Sequence, residues 1–183
     1  MGVDSLTFVK KKSSGYDEQY FNQLVYENHQ RIYNLFRRMV QTHAEADDLT
    51  QETFIRVYQN LGTFRGEAAP ATWIYRIAVN TALNYLRKQK IRHTLSLELA
   101  RSVQAADEPE NVHHEQILLR RALTKLPARQ QMIVVLRIYQ ELPFREIASI
   151  LNSTENAAKV NFSHAVKSLR QILIKMGVSH DQL

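Results

Sequence analysis

The sequence predicts an all-α protein made of two small helical domains joined by a flexible linker. Three observations carry that reading. Apolar residues recur at three- and four-residue steps along most of the chain, with no alternating run of strand length. Only five glycines occur in 183 residues, too few for a turn-rich β fold. The charge pattern also changes along the chain. Lys and Arg outnumber Asp and Glu from Tyr16 to Arg92 and again from Glu115 onward, but between His93 and His114 Arg101 stands alone against Glu98, Asp107, Glu108 and Glu110. That middle segment adds Ser96, Ser102, Pro109 and Asn111 around a short apolar patch at Leu95, Leu97 and Leu99, the composition of a linker. The expected organisation is a mobile arm over 1–15, a first domain over 16–92, an acidic linker over 93–114, a second domain over 115–177 and a tail over 178–183.

The elements follow in order. Phe21, Leu24, Val25, Ile32, Leu35, Phe36, Met39 and Val40 form one face of a long first helix. Leu49, Thr53, Val57 and Leu61 do the same for a second, with Glu45, Asp47 and Asp48 expected in its first turn, where the helix dipole favours negative charge. Gly62 and Gly66 bracket an interruption. Pro70, followed by Thr72 and Trp73, opens a third helix through Ile74, Ile77, Ala78, Thr81 and Tyr85. After the linker, Leu126-Pro127 precedes a helix with Met132, Ile133, Val135, Leu136 and Ile138 on its apolar side, and a short helix from Pro143 ends near Leu151. Asn152-Ser153-Thr154 reads as a turn in which Asn152 takes a positive φ and Thr154 caps the next helix. That last helix buries Ala158, Phe162, Ala165, Leu169 and Ile172 and runs to about Met176. The second domain thus has a helix-turn-helix outline.

Composition narrows the function. A hydrophobic content of 44% suits a folded protein. A formal charge of +6 with a pI near 9.6 favours an anionic partner, and nucleic acid is favoured over stable membrane insertion because no long apolar run exists. Absence of cysteine excludes disulfides and thiolate metal sites. The opening MGVDSLTFVKKKSSG has no apolar core of leader length, and its basic residues follow the apolar ones, so the expected location is the cytoplasm.

Three adjoining stretches carry a more specific pattern: ADDLTQETFIRVYQNL (Ala46 to Leu61), FRGEAAPATW (Phe64 to Trp73) and IYRIAVNTALNYLRKQKIR (Ile74 to Arg92). This block resembles bacterial RNA polymerase sigma factors of the extracytoplasmic-function (ECF) group, which carry a D-D/E-L-x-Q-E-x-F motif, a short loop, then TWL-Y-R-I-A-x-N and an Arg-rich end. A second block from Ala122 to Leu169 resembles the same family independently. The order and spacing of the two blocks, across most of Phe21 to Leu173, make the joint match far more specific than either alone.

The resemblance implies a sigma-2-like domain followed by a sigma-4-like domain. On the polar side of the second helix, Asp47, Asp48, Gln51, Glu52 and Arg56 form a charged patch that composition alone would assign to a solvated face. The resemblance implies that these residues, with Phe54, belong to the surface that docks on the clamp helices of the polymerase largest subunit. Phe64, Arg65, Trp73, Tyr75, Arg76, Asn80, Arg87 and Lys88 supply the aromatic walls, polar edges and cations that capture of an unstacked base requires. By resemblance they hold the minus-ten element, with the loop from Gly62 to Ala69 taking the flipped base and Asn80 reading its edge. Trp73 and Ile77, four residues apart, fit a core pair as well as a DNA contact, whereas Arg76, Arg87, Lys88, Lys90 and Arg92 suit phosphate.

A recognition helix reads the major groove from its N-terminal residues. Thr154, Asn156, Lys159, Asn161, His164 and Lys167 are therefore the candidates for the minus-thirty-five element, with Asn156, Lys159 and Asn161 foremost. The family pattern here resembles S-E-G-T-V-K-S-R-L-S-R-A-R, whereas this chain reads TENAAKVNFSHAV from Thr154 to Val166. Lys159 is kept, but Asn161, His164 and Val166 stand where Arg is common, and Ala157 replaces a Thr. The implied partners are core RNA polymerase (the clamp helices of the largest subunit and the flap of the second-largest), promoter DNA and an anti-sigma factor.

No catalytic site, metal or cofactor is expected. Asp47, Asp48 and Glu52 share one helix without a complementary acidic or histidine cluster, and His113-His114 and His164 lack partners at ligand spacing. The acidic linker reads as a plain tether, with occupation of a cationic polymerase channel as the second meaning. The alternative function is a free-standing helix-turn-helix regulator, which leaves ADDLTQETF and FRGEAAPATW unused.

Overall fold

The structure, a computed structural model, describes residues 14–95 and 114–178. The expected N-terminal arm, the linker acids Asp107, Glu108 and Glu110, and the tail from 179 lie outside the described residues. Seven α-helices occur among those described: α1 (Ser14–Arg37), α2 (His43–Asn60), α3 (Pro70–Leu95), α4 (His114–Thr124), α5 (Ala128–Val134), α6 (Phe144–Ile150) and α7 (Glu155–Lys175). A 3-10 turn, Leu61–Thr63, follows α2, and a π-helical segment, Val135–Tyr139, continues α5. No described helix is long and apolar enough to cross a membrane.

Helices α1, α2 and α3 pack around Leu24, Ile32, Leu35, Phe36, Leu49, Val57, Ile74 and Ala78, all buried. Each such large side chain stabilises the fold by about 1.5–3 kcal/mol relative to exposure. Buried polar groups on these helices are satisfied within their own turn. Asn28 donates to the Leu24 carbonyl at 2.9 Å, Thr50 to Ala46 at 2.7 Å and Thr53 to Leu49 at 2.8 Å.

The second helix starts earlier than the acidic run suggests. Thr42 is its cap: the Thr42 hydroxyl accepts from the Glu45 amide at 3.2 Å, and the Glu45 carboxylate accepts from the Thr42 amide at 3.0 Å. Glu45 therefore lies in the first turn, while Asp47 and Asp48 fall beyond it. Burial pushes the Glu45 carboxyl up, but hydrogen bonds from the Tyr85 hydroxyl, from Thr42 and from the Gln41 amide outweigh it and lower its pKa.

The second group, α4 to α7, packs around Leu123, Leu126, Val134 and Ala165, with Leu119, Phe162, Leu169 and Ile172 against them. The α6–α7 turn agrees with the sequence: Asn152 has φ 49°, and Thr154 caps α7 by accepting from the Ala157 amide at 3.1 Å. The end of α5 differs. There the chain widens into the π segment, Gln140 N–H donates to the Val135 carbonyl at 3.2 Å, and Glu141 takes φ 56°. The rotation carries Ile138, expected on the apolar face, out to 53% exposure.

The two groups of helices dock on one another. Helix α3 packs on α5 and α6, α1 meets the π segment, and one buried cluster runs from Leu24 through Met132 to Ala158. Gln131, 1% exposed, donates its amide to the carbonyls of Arg38 at 3.2 Å and Met39 at 3.3 Å, just beyond the end of α1. Arg38 in turn lies 4.2 Å from the centroid of the Tyr139 ring.

Candidate functional site

The residues expected to act fall on three surfaces. On α2, Asp47, Asp48, Gln51 and Glu52 are exposed and share one face. Arg56 pairs with Glu52 at 2.6 Å one turn away, an exposed contact that orders the face more than it stabilises the helix. Phe54 does not join them. It is 7% exposed and stacks with His29, ring centroids 6.0 Å apart, because the 100° step of the helix turns position 54 toward α1. The same step brings Ile55 to the surface at 57% exposure and Tyr58 at 58%. Both were missed by sequence reasoning; an apolar Ile beside a charged patch was the available signal. The α2 face can thus offer hydrogen-bond acceptors around an apolar centre, the composition of a protein-docking surface.

The loop and α3 form the second surface. Phe64 is buried at 8% exposure with its ring 5.0 Å from that of half-buried Trp73, so this pair closes the base of the loop over the core. Arg65 and Gly66, the latter at φ 72°, stay exposed at the loop's tip. Tyr75, 3% exposed, points toward the second domain, where its hydroxyl donates to Gln140 Oε1 at 2.6 Å. Burial pushes its pKa up to about 12, with Arg31 opposing. Arg76 spans the same junction, donating to the Ser149 carbonyl at 3.1 Å and to the Ser149 hydroxyl at 2.6 Å. Asn80 is exposed one turn further along and lines a cleft of about 400 Å³ with Arg76, Arg129, Ser149 and Asn152. Arg87 and Lys88 lie beyond the junction on the solvent side, Arg87 donating to Asn84 at 3.0 Å.

The structure thus divides the α3 candidates. Arg87 and Lys88 are open, Tyr75 and Arg76 are engaged by α6 and the segment before it, and Phe64 and Trp73 are packed together. Nothing in the sequence signalled that the second domain would sit on this face.

The third surface is the start of α7. Asn156, Lys159, His164 and Lys167 are exposed. The Thr154 hydroxyl is committed to its cap, and Asn161 is half-buried with its amide donating to the Ala157 carbonyl at 2.8 Å. Lys159 pairs with Glu155 at 2.7 Å, and hydrogen bonding from Lys159 together with its charge holds the Glu155 carboxyl below its usual value. The surface therefore presents amides and an imidazole around one lysine, with Glu155 partly neutralising it. Among the described residues no group of three or more His, Asp or Glu is placed to hold a metal ion.

Comparison with known proteins agrees with this geometry. Residues 24–91 match the family model for sigma-70 region 2, and residues 116–169 match that for sigma-70 region 4. The ECF RNA polymerase sigma-E factor of Escherichia coli (strain K12) is 34% identical over 148 residues, covering 74% of this chain and 77% of that protein. The ECF RNA polymerase sigma factor SigM of Mycobacterium tuberculosis (strain H37Rv) is 32% identical over 157 residues, covering 86% and 79%. RNA polymerase sigma factor SigV of Bacillus subtilis (strain 168) is 29% identical over 153 residues, covering 84% and 90%. The same fold occurs in the sigma factor RpoE of Bartonella quintana, solved with the anti-sigma factor NepR (TM-score 0.70, 19% identity, 85% of this chain and 97% of that one), and in CnrH, solved with the cytosolic domain of CnrY (TM-score 0.66, 22% identity, 92% and 96%). The chain belongs to the ECF RNA polymerase sigma factors, the transcription initiation factors that work with core RNA polymerase.

Proposed function

We propose that this sigma factor divides its work among the three surfaces, with no catalytic step of its own, and acts in the cytoplasm where polymerase is found. The first domain, expected over 16–92, docks on core polymerase through the exposed face of Asp47, Asp48, Gln51, Glu52 and Arg56, with Ile55 at its centre. Arginines on the partner would meet these carboxylates in charge-assisted hydrogen bonds. The loop around Arg65, with Asn80, Arg76, Arg87 and Lys88 on α3, holds the minus-ten element, the arginines and Lys88 taking phosphates. The second domain, expected over 115–177, reads the minus-thirty-five element with Asn156, Lys159, His164 and Lys167.

One observation carries a further part of this reading: Tyr75 and Arg76 are hydrogen-bonded to Gln140 and Ser149. Their neighbour Asn80 faces the same junction. In the docked arrangement the minus-ten surface is covered by the second domain. Promoter use therefore requires the domains to part, and core polymerase supplies the energy by binding the two domains separately. An anti-sigma partner, of the kind found with RpoE of Bartonella quintana and CnrH, would act by keeping them together or covering the α2 face.

The test is run-off transcription on a promoter library with bacterial core polymerase. Initiation that depends on this protein, and that is lost in Asn80→Ala and in Asp48→Lys while the folded circular dichroism spectrum is kept, supports the assignment. Tight DNA binding without core, and no initiation on any template, would favour a free-standing regulator.

A further inference from the structure

A cleft of about 600 Å³ opens where α1 meets the π segment, on the side of the junction away from Asn80. Its walls carry four guanidinium groups, Arg31, Arg37 and Arg38 from the first domain and Arg120 from α4, together with Tyr33 and a single carboxylate, Glu141. Four cations facing one acid across a concave surface are mutually repulsive unless an anion enters. The repulsion is visible at Arg37: burial first, then the charge of Arg120, with Arg38 adding, lower its pKa, while Tyr33 and Asp47 oppose. The hydrogen bonds of Arg37 go to neutral or weak acceptors, the Gln41 carbonyl at 3.4 Å and His43 Nε2 at 3.3 Å, so it meets no carboxylate there. His43 is itself held by Tyr33, whose hydroxyl lies 2.6 Å from Nδ1. The rim is fixed by contacts between the domains, Tyr75 to Gln140 and Arg38 over Tyr139.

We propose that this cleft binds a small anion carrying two or more phosphate groups, inorganic pyrophosphate or a nucleoside diphosphate, and that its occupant holds the two domains together. Planar guanidinium forks match phosphate oxygens bidentately. A single phosphate would leave most of the cleft empty, whereas about 300–1,000 Å³ is the range of sites for nucleotide-sized ligands. Because both domains contribute arginines, the anion binds the docked form better than the parted form and shifts the equilibrium toward it. Binding by the free protein does not depend on how the promoter surfaces are assigned, so the two readings can fail separately.

The test is calorimetric titration of the full chain with sodium pyrophosphate, ADP, inorganic phosphate and sulfate, at constant ionic strength, with Arg31→Gln and Arg37→Gln variants. Pyrophosphate and ADP should bind at least about tenfold tighter than phosphate or sulfate, a gap of about 1.4 kcal/mol. Each variant should weaken that binding about tenfold while the ligand-free melting temperature stays put. Arg31 is exposed, so Arg31→Gln decides the matter if Arg37→Gln disturbs the fold. Equal affinity for pyrophosphate and ADP would identify the phosphates alone as the ligand, and tighter binding of ADP would add the nucleoside; both support the site. Affinity for pyrophosphate no greater than for sulfate, binding unchanged in Arg31→Gln, or a clear preference of the same arginines for a single-stranded oligonucleotide would overturn it.

Discussion

The Tyr75 hydroxyl donates to Gln140 Oε1 at 2.6 Å, joining the third helix of the first domain to the end of the π segment in the second. Removing this bond should loosen the docked arrangement without unfolding either domain. A typical hydrogen bond is worth about 1 kcal/mol net, so Tyr75→Phe should raise the parted fraction about fivefold. Because the chain has no cysteine, Gln59→Cys and Gln171→Cys on exposed positions of α2 and α7 give a unique dye pair for distance measurements. Gln140→Ala in the Tyr75→Phe background should add less than it does alone, as expected for partners in one bond. The same tyrosine sets an alkaline dependence. Its ordinary pKa of 10.0 is raised to about 12, so its contribution to stability is complete below pH 10 and is lost as the pH rises toward 12. Tyr75→Phe should flatten that part of the profile.

The Thr42–Glu45 capping box gives an acid-side prediction. Glu45 has a lowered pKa, so its contribution is present above the value of the unfolded chain, about 4.3, and is lost as pH falls below it. Glu45→Gln should reduce the acid dependence of chemical unfolding, and Thr42→Ala should cost about 1 kcal/mol at neutral pH.

Reversal of charge on the α2 face should separate polymerase binding from folding. Asp48 is exposed, so Asp48→Lys is expected to change stability by no more than about 0.5 kcal/mol while weakening association with core at least about tenfold. Fluorescence anisotropy against purified core would show the loss. Retained affinity would move the docking surface elsewhere.

At the start of α7, Lys159→Ala should weaken promoter binding about equally across sequences and reduce the slope of log affinity against log salt by about 0.9. Asn156→Ala should instead relax preference at one or two base pairs, each worth about 1–3 kcal/mol. Competition binding with the holoenzyme distinguishes these outcomes.

Much of the local structure was legible because its causes are local. Apolar periodicity located the long helices, and Asn152 and Thr154 declared the turn and cap before α7 through their own backbone and hydroxyl chemistry. The start of α2 was misplaced because Asp47 and Asp48 drew attention from the Thr42–Glu45 pair that caps it. The aromatic candidates were the least legible. Phe54, Phe64 and Tyr75 carry rings that suit either a core or a nucleotide, and their burial is decided by helix rotation and by the neighbouring domain. The docking of the domains rests on Gln131, Gln140, Arg76 and Ser149, none of which has a sequence pattern that announces a partner.

Gln131 also bears on how the chain folds. Its bond to the Met39 carbonyl joins residues 92 positions apart, while the helices on either side are built from neighbours in sequence. Closing so long a loop costs entropy that the helices themselves never face, and non-local contacts slow folding accordingly. The two helical groups should form quickly and independently, with their union as a separate, slower step. A nascent chain leaving the ribosome would complete α1 to α3 before α5 exists, so the first domain passes through a period in which its promoter face is bare and no second domain is yet available to cover it.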